Sequence, residues 1–244
     1  MLVHLLDIWH YNMGFHRGPR IITDGLVLAV DTASDRSYPG SGTTLFDLSG
    51  NNLNGTLNGS PGFSSSMNHG VFDFDGIDDY ISMGSSGAVD LIQDQTNFSL
   101  GVWFKMDALG TLRGLIGTLN YSCTKNLGLT ANGTSLAFYN DTTTCNSANI
   151  NSYVETGKWI YAVGTYDGAN TRIYGFKDGS LTTANSTTKS GSSNTFTSDF
   201  QVWGDQNGSI ETDCKGGIAH VYNRTLSQTE IEQNYNAQKS RFGL

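Results

Sequence analysis

Nine consecutive residues, Phe98 to Met106, constrain the fold of this chain more than any other stretch. Side chains alternate across a β-strand, so Phe98, Leu100, Val102, Phe104 and Met106 share one face while Ser99, Gly101, Trp103 and Lys105 share the other. Five apolar residues on one face mean a strand that lies on a core. The chain is therefore expected to build around at least one sheet with a buried side.

Other segments carry the same signal. Leu26-Val27-Leu28-Ala29-Val30 is a short apolar run, and Phe72 and Phe74 alternate with Asp73 and Asp75. Further strands are expected at Leu112 to Leu119, Leu127 to Thr130, Leu136 to Tyr139, Trp159 to Tyr166, Thr171 to Phe176 and Phe200 to Trp203. Asn132-Gly133, Asp167-Gly168 and Asp178-Gly179 separate them with residues that accept positive φ. With 30 Gly and only 3 Pro, the composition suits many short strands joined by polar turns. Such spacing favours a sandwich over alternating strands and helices, and 244 residues is within reach of a single all-β unit.

One helix is signalled near the end. Ser227-Gln228-Thr229-Glu230 is a capping box, with Leu226 and Ile231 at the staple positions, and Tyr235 follows Ile231 by one turn. The helix is expected from Ser227 to about Lys239. At the other end, residues 1–24 show no strand alternation and read as an extended arm ahead of a domain spanning 25–244. Phe15, Arg17, Arg20 and Ile22 offer it apolar and cationic contacts. Met13, before Gly14, offers an alternative start.

Charge and cysteine content narrow the function. A formal charge of −8 and a pI near 4.9 argue against nucleic acid, whose binding rests on clustered Lys and Arg. Nothing approaches the ~20 apolar residues of a membrane span. The opening Met1 to Leu6 lacks a preceding cation and is interrupted by Asp7, so it reads as a poor secretory signal. Cys123, Cys145 and Cys214 make no metal cage. Cys123 and Cys145 flank an expected hairpin and could meet as a disulfide, leaving Cys214 free.

Several segments together resemble the laminin-G-like family of concanavalin-A-like jelly rolls. They are Asp47 to Thr56, Phe74 to Ile81, Phe98 to Lys105, Lys158 through Gly168, and Tyr222 to Ser227. The resemblance implies an all-β fold: a two-sheet antiparallel jelly-roll sandwich with an N-terminal arm and a short C-terminal helix. The flanks, Phe15 to Gly42 and Gln233 to Leu244, are similar to those of structural proteins of tailed bacteriophages. This implies a virion component that displays the sandwich on the particle, with other virion proteins as partners and a homo-oligomer as one arrangement. The alternative is a carbohydrate-binding adhesin or receptor-binding module whose partners are surface glycans. A polysaccharide hydrolase comes third.

No catalytic set stands out. Glycosidases need two carboxylates across the scissile bond, and the Glu-x-Asp-x-x-Glu strand of glucanase relatives is absent, so the protein is expected not to be an enzyme. Asp73, Asp75, Asp78 and Asp79 read as turn and strand-edge residues. Calcium is the one cofactor to weigh, since laminin-G-like domains often hold it through hard oxygen ligands; Asp47, Asn52 and Asn54 are its candidate ligands, with a purely structural loop as the other reading. For sugars, Tyr121, Tyr139, Tyr153 and Trp203 are candidate platforms, although aromatic residues more often belong to the core.

Overall fold

A computed structural model of the chain describes residues 19–85, 89–119, 127–140, 147–186, 191–193, 199–204 and 210–244. Along these residues the strands are β1 (Leu26–Asp31), β2 (Thr44–Leu45), β3 (Gly55–Asn58), β4 (Gly62–Ser64), β5 (Val71–Asp75), β6 (Tyr80–Ser82), β7 (Phe98–Met106) and β8 (Leu112–Thr118). There follow β9 (Leu127–Asn132), β10 (Ser135–Asn140), β11 (Ser147–Ile150), β12 (Trp159–Tyr166), β13 (Thr171–Lys177), β14 (Ser180–Ser186), β15 (Gln201–Val202), β16 (Asp213–Tyr222) and the helix α1 (Gln228–Gln238).

They form two eight-stranded sheets, and every described pairing is antiparallel. The first sheet runs β14-β13-β12-β7-β16-β5-β4, and β1 also pairs with β16. Both β5 and β1 lie on one edge of β16: β5 pairs with Asp213 to Gly216, and β1 with Ile218 to Tyr222. The second sheet runs β11-β10-β9-β8-β15-β6-β3-β2. This is the antiparallel sandwich of the jelly-roll, concanavalin-A-like kind.

The core lies between the sheets. The five residues expected to share the apolar face of β7 are all fully buried there, opposite Leu127, Leu129, Leu136 and Phe138 from the second sheet. The other face of β7 is buried as well. Trp103 is covered by α1 and the chain end, stacking with Phe242 at a centroid distance of 4.2 Å and with Tyr235 at 5.6 Å. A second apolar cluster thus seals the outside of the first sheet.

The helix takes the expected cap. Ser227 accepts from the Glu230 amide, the Glu230 carboxylate accepts from the Ser227 amide at 2.8 Å, and Leu226 and Ile231 are both buried. Arg224 adds a bidentate ion pair to the same carboxylate, 2.6 and 3.1 Å. That pairing, with the Ser227 hydrogen bonds, holds Glu230 down to about pKa 2 against the upward effect of partial burial.

The expected arm boundary at residue 24 does not hold for its described part. Ile22 donates its amide to Asn234 Oδ1 at 2.7 Å and accepts from the Tyr222 hydroxyl at 3.0 Å, while Gln233 donates to the Arg20 carbonyl at 2.7 Å. Arg20 and Ile22 therefore belong to the edge of the domain, tied down by polar partners rather than by strand alternation. Phe15 and Arg17 lie outside the described residues, as do Cys123 and Cys145. Cys214 is a free, fully buried thiol whose pKa burial raises well above the ordinary value.

Candidate functional site

The structure disperses the aromatic residues expected to contact sugar. Trp203 lies wholly in the core: its ring is 5.7 Å from Phe74, its Nε1 donates to the Trp103 carbonyl at 3.2 Å, and it is seated on Gly216, where an added Cβ would stand 2.5 Å from the indole. It has no free face, which corrects its assignment as a platform. Tyr153 is buried over Gly175, with Lys177 Nζ 4.8 Å from its ring centroid, so it too is a packing residue. Tyr139 is half-buried on the outer face of the second sheet, in register with Gly128 and Ser147. Tyr121 lies outside the described residues.

The proposed calcium ligands are also committed elsewhere. Asp47 Oδ1 accepts from the amides of Ala29 and Ser49, and its Oδ2 accepts from the Ser49 hydroxyl and the Leu53 amide. Asn54 Oδ1 accepts from the Asp47 amide, and Asn52 takes positive φ, 58°, in the turn between them. Calcium wants six to eight oxygens with lone pairs to offer. Here both carboxylate oxygens already hold two donors each, so Asp47, Asn52 and Asn54 do not fit the ion and instead pin the loop to β1. Asp75, Asp78 and Asp79 bring carboxylate oxygens within 4.8 Å of one another. Two of these are held by the expected turn chemistry, Asp79 by the Asp75 amide and Asp75 by the Ile77 amide. Burial raises the Asp79 pKa, and the charges of Asp75 and Asp78 push the same way.

A polar groove of about 490 Å³ lies on the outer face of the first sheet, where β13 and β14 emerge beside the start of α1. That volume falls within the ~300–1,000 Å³ of ordinary small-ligand pockets. Its geometry follows from one hairpin. Asp178 and Gly179 have φ of 50° and 81°, as a two-residue type I′ turn requires, so Lys177 pairs with Ser180. The register then places Thr183 opposite Tyr174 and Asn185 opposite Arg172, all four on one face. Tyr174 is the floor, mostly buried, while Thr183 and Asn185 are exposed. Gln228, the first residue of α1, closes one side and is held by Glu232 at 2.8 Å.

Arg172 is fixed from behind. Its Nη1 lies 2.6 Å from Asp167 Oδ2, and Asp167 also accepts from the amides of Ala169 and Asn170 and from the Asn170 side chain. Partial burial would raise the Asp167 pKa, but the Arg172 bond and these amides bring it down to about 2, so the pair is charged on both sides at neutral pH. The groove thus sets a guanidinium, two amides and a hydroxyl above an aromatic ring. Sequence reading missed it, although the Asp178-Gly179 turn and the alternation Arg172, Tyr174, Phe176 carried the register.

A second hollow, about 380 Å³ and mostly apolar, is walled by Pro19, Ile21, Leu26, Leu48, Ala237 and the buried His220. Burial depresses the His220 pKa to about 4.

The family model described as the concanavalin A-like lectin/glucanases superfamily matches residues 75–232. The chain belongs to this superfamily. Solved structures share its fold at low identity. The Trypanosoma rangeli sialidase in complex with the inhibitor DANA superposes with a TM-score of 0.65 at 16% identity, covering 91% of this chain and 34% of the sialidase. Domain 4 of AbnA, an extracellular arabinanase of Geobacillus stearothermophilus in complex with arabinotriose, gives 0.56 at 12%, covering 87% of this chain and 98% of that domain. The receptor binding domain of botulinum neurotoxin mosaic serotype C/D gives 0.58 at 13%, covering 91% of this chain and 51% of that one. The lectin/glucanase-like sandwich therefore spans only about a third of the length of the sialidase. A comparison with curated proteins finds no sequence match.

Proposed function

We propose that this protein is a non-catalytic carbohydrate-binding module that holds a glycan in the groove between β14 and the start of α1. The observation that carries the reading is the groove itself: Arg172, Thr183, Asn185 and Gln228 present donors and acceptors above the buried ring of Tyr174, the planar polar groups that hydroxyl-rich rings call for. Membership of a lectin/glucanase superfamily supports the same class of ligand, as does domain 4 of AbnA, whose structure holds arabinotriose.

The placement of acids supports a reading of binding without cleavage. None of the groove's lining residues is Asp or Glu, whereas glycoside hydrolysis needs two carboxylates facing the bond. Of the four glutamates, Glu230 is held by Arg224 and the helix cap, Glu155 pairs with Lys177, Glu232 holds Gln228, and Glu211 is largely buried and outside the groove lining. Asp167 is committed to Arg172 and a turn. The virion role implied by the flanking segments draws support from those segments alone; a glycan-binding module on a particle would serve attachment to a host surface.

A glycan array followed by calorimetric titration of the best ligand tests the proposal. Thr183→Ala and Asn185→Ala, both at exposed positions, should each weaken binding several-fold without moving the melting temperature. Binding unaffected by both substitutions would move the site off the groove.

A further inference from the structure

The charges around the groove point to the kind of sugar it takes, an inference that rests on the glycan-binding reading. Arg172 is the only cationic residue among those lining it. A guanidinium beside a sugar site is the usual means of gripping a carboxylate, through two parallel hydrogen bonds. Here one nitrogen of that fork is already paired with a carboxylate. Asp167 Oδ2 lies 2.6 Å from Nη1, both partners are partly buried, and Asp167 is itself held by two amides of its own turn, so it cannot swing away without breaking the β12–β13 connection. On the other side, Glu232 stands behind Gln228 and accepts from its amide. The one lining cation is therefore neutralised from outside the groove by Asp167, in a chain that carries a net charge of −8.

We infer that the groove selects uncharged glycans and rejects those carrying uronic or sialic acids, because Asp167 already neutralises the one guanidinium that an acidic sugar would need. Arg172 still offers its remaining N–H groups to neutral hydroxyl oxygens, with its charge cancelled by Asp167. A ligand carboxylate would meet that pair as a like charge beside Asp167, at a distance where salt screens it only in part. Selectivity of this kind is built from a repulsive element as much as from an attractive one.

The test uses an array of neutral oligosaccharides, each paired with a counterpart bearing a terminal uronic or sialic acid, on the full chain and on Asp167→Asn. Asparagine keeps an oxygen for the Ala169 and Asn170 amides while removing the charge. The parent should bind neutral members and leave their acidic counterparts at least about tenfold weaker. Asp167→Asn should narrow the neutral-to-acidic affinity ratio by about tenfold or more, the scale of a charge-assisted hydrogen bond, and an unchanged ratio in the folded variant overturns the inference.

A parent protein that binds acidic members as tightly as neutral ones, with that binding lost in Arg172→Gln, overturns the inference and leaves the glycan reading standing. Binding of neither class by either protein overturns both. Should Asp167→Asn fail to fold, the parent alone still decides: it should bind a neutral ligand at least about tenfold more tightly than its acidic counterpart at low salt, with the gap narrowing as salt rises, and an acidic ligand bound as tightly as the neutral one at low salt overturns the inference.

Discussion

At the scale of single residues, burial separates what alternation can tell from what it cannot. Val102 was legible as core from its own strand, and it sits fully buried with Ala162 and Ala219 as cross-strand neighbours. Val102→Asp should destabilise by about 3–5 kcal/mol, the cost of an unpaired buried charge, and a denaturant titration with an unchanged midpoint would contradict the face assignment. Trp203 was not legible, because what buries it is Gly216, distant in sequence, whose missing side chain makes room for the indole. The same holds for His220, which sits across the sheet from Gly101 and beneath the N-terminal segment.

His220 also gives a pH dependence. Its folded pKa of about 4 lies below the ~6.5 of an unfolded histidine, so the unfolded chain binds the extra proton first. Stability should therefore fall as pH drops from about 6.5 towards 4, by on the order of 3 kcal/mol, and this contribution should level off below that window. His220→Gln should flatten that slope in denaturation curves at pH 7.5 and 4.5. Equal slopes in the two proteins would mean that the imidazole is not the group responsible. Asp167 and Glu230, held near pKa 2, act lower: their contribution is complete above about pH 5 and is lost progressively as pH falls from there through about 2.

At the scale of elements, the helix and the hairpins were the most readable parts, because their signals are local. Ser227 and Glu230 are three residues apart and both bonds of the box form. Ser227→Ala should cost about 1 kcal/mol, measured as a lowered denaturation midpoint, while Glu230→Gln, which keeps an acceptor for the Ser227 amide, should lower the midpoint through loss of the Arg224 pair. An unchanged midpoint in Glu230→Gln would mean that the Arg224 pair contributes nothing. The buried polar residues of the same helix gave no such signal. Asn234 serves Ile22 and Tyr222, and Gln238 accepts from Trp103 Nε1 at 2.7 Å; each partner lies outside the helix. The groove has an intermediate status: its strand residues follow from a two-residue turn that the sequence displayed, but Gln228 joins them only through the packing of α1.

At the scale of the whole molecule, the sandwich was readable from alternating strands and regular turns, while its outer layer was not. Alternation predicts one buried face for β7, yet Trp103 on the other face is equally buried, because the helix and the chain end fold back over the first sheet. The N-terminal segment is part of that layer. Removing residues 1–24 takes away Ile22 and Asp24, partners of Asn234, Tyr222 and Arg224, so the truncated chain should melt at a lower temperature; an unchanged melting curve would restore the boundary expected from the sequence.

The claim that joins these scales is that a rigid sandwich holds a glycan above Tyr174. The most direct measurement is calorimetric titration of the array's best neutral oligosaccharide into the parent protein and into the double variant Thr183→Ala, Asn185→Ala. Saturable binding by the parent, lost in a variant that melts at the same temperature, is the expected result. No saturable binding of any array glycan by the folded parent protein would contradict it.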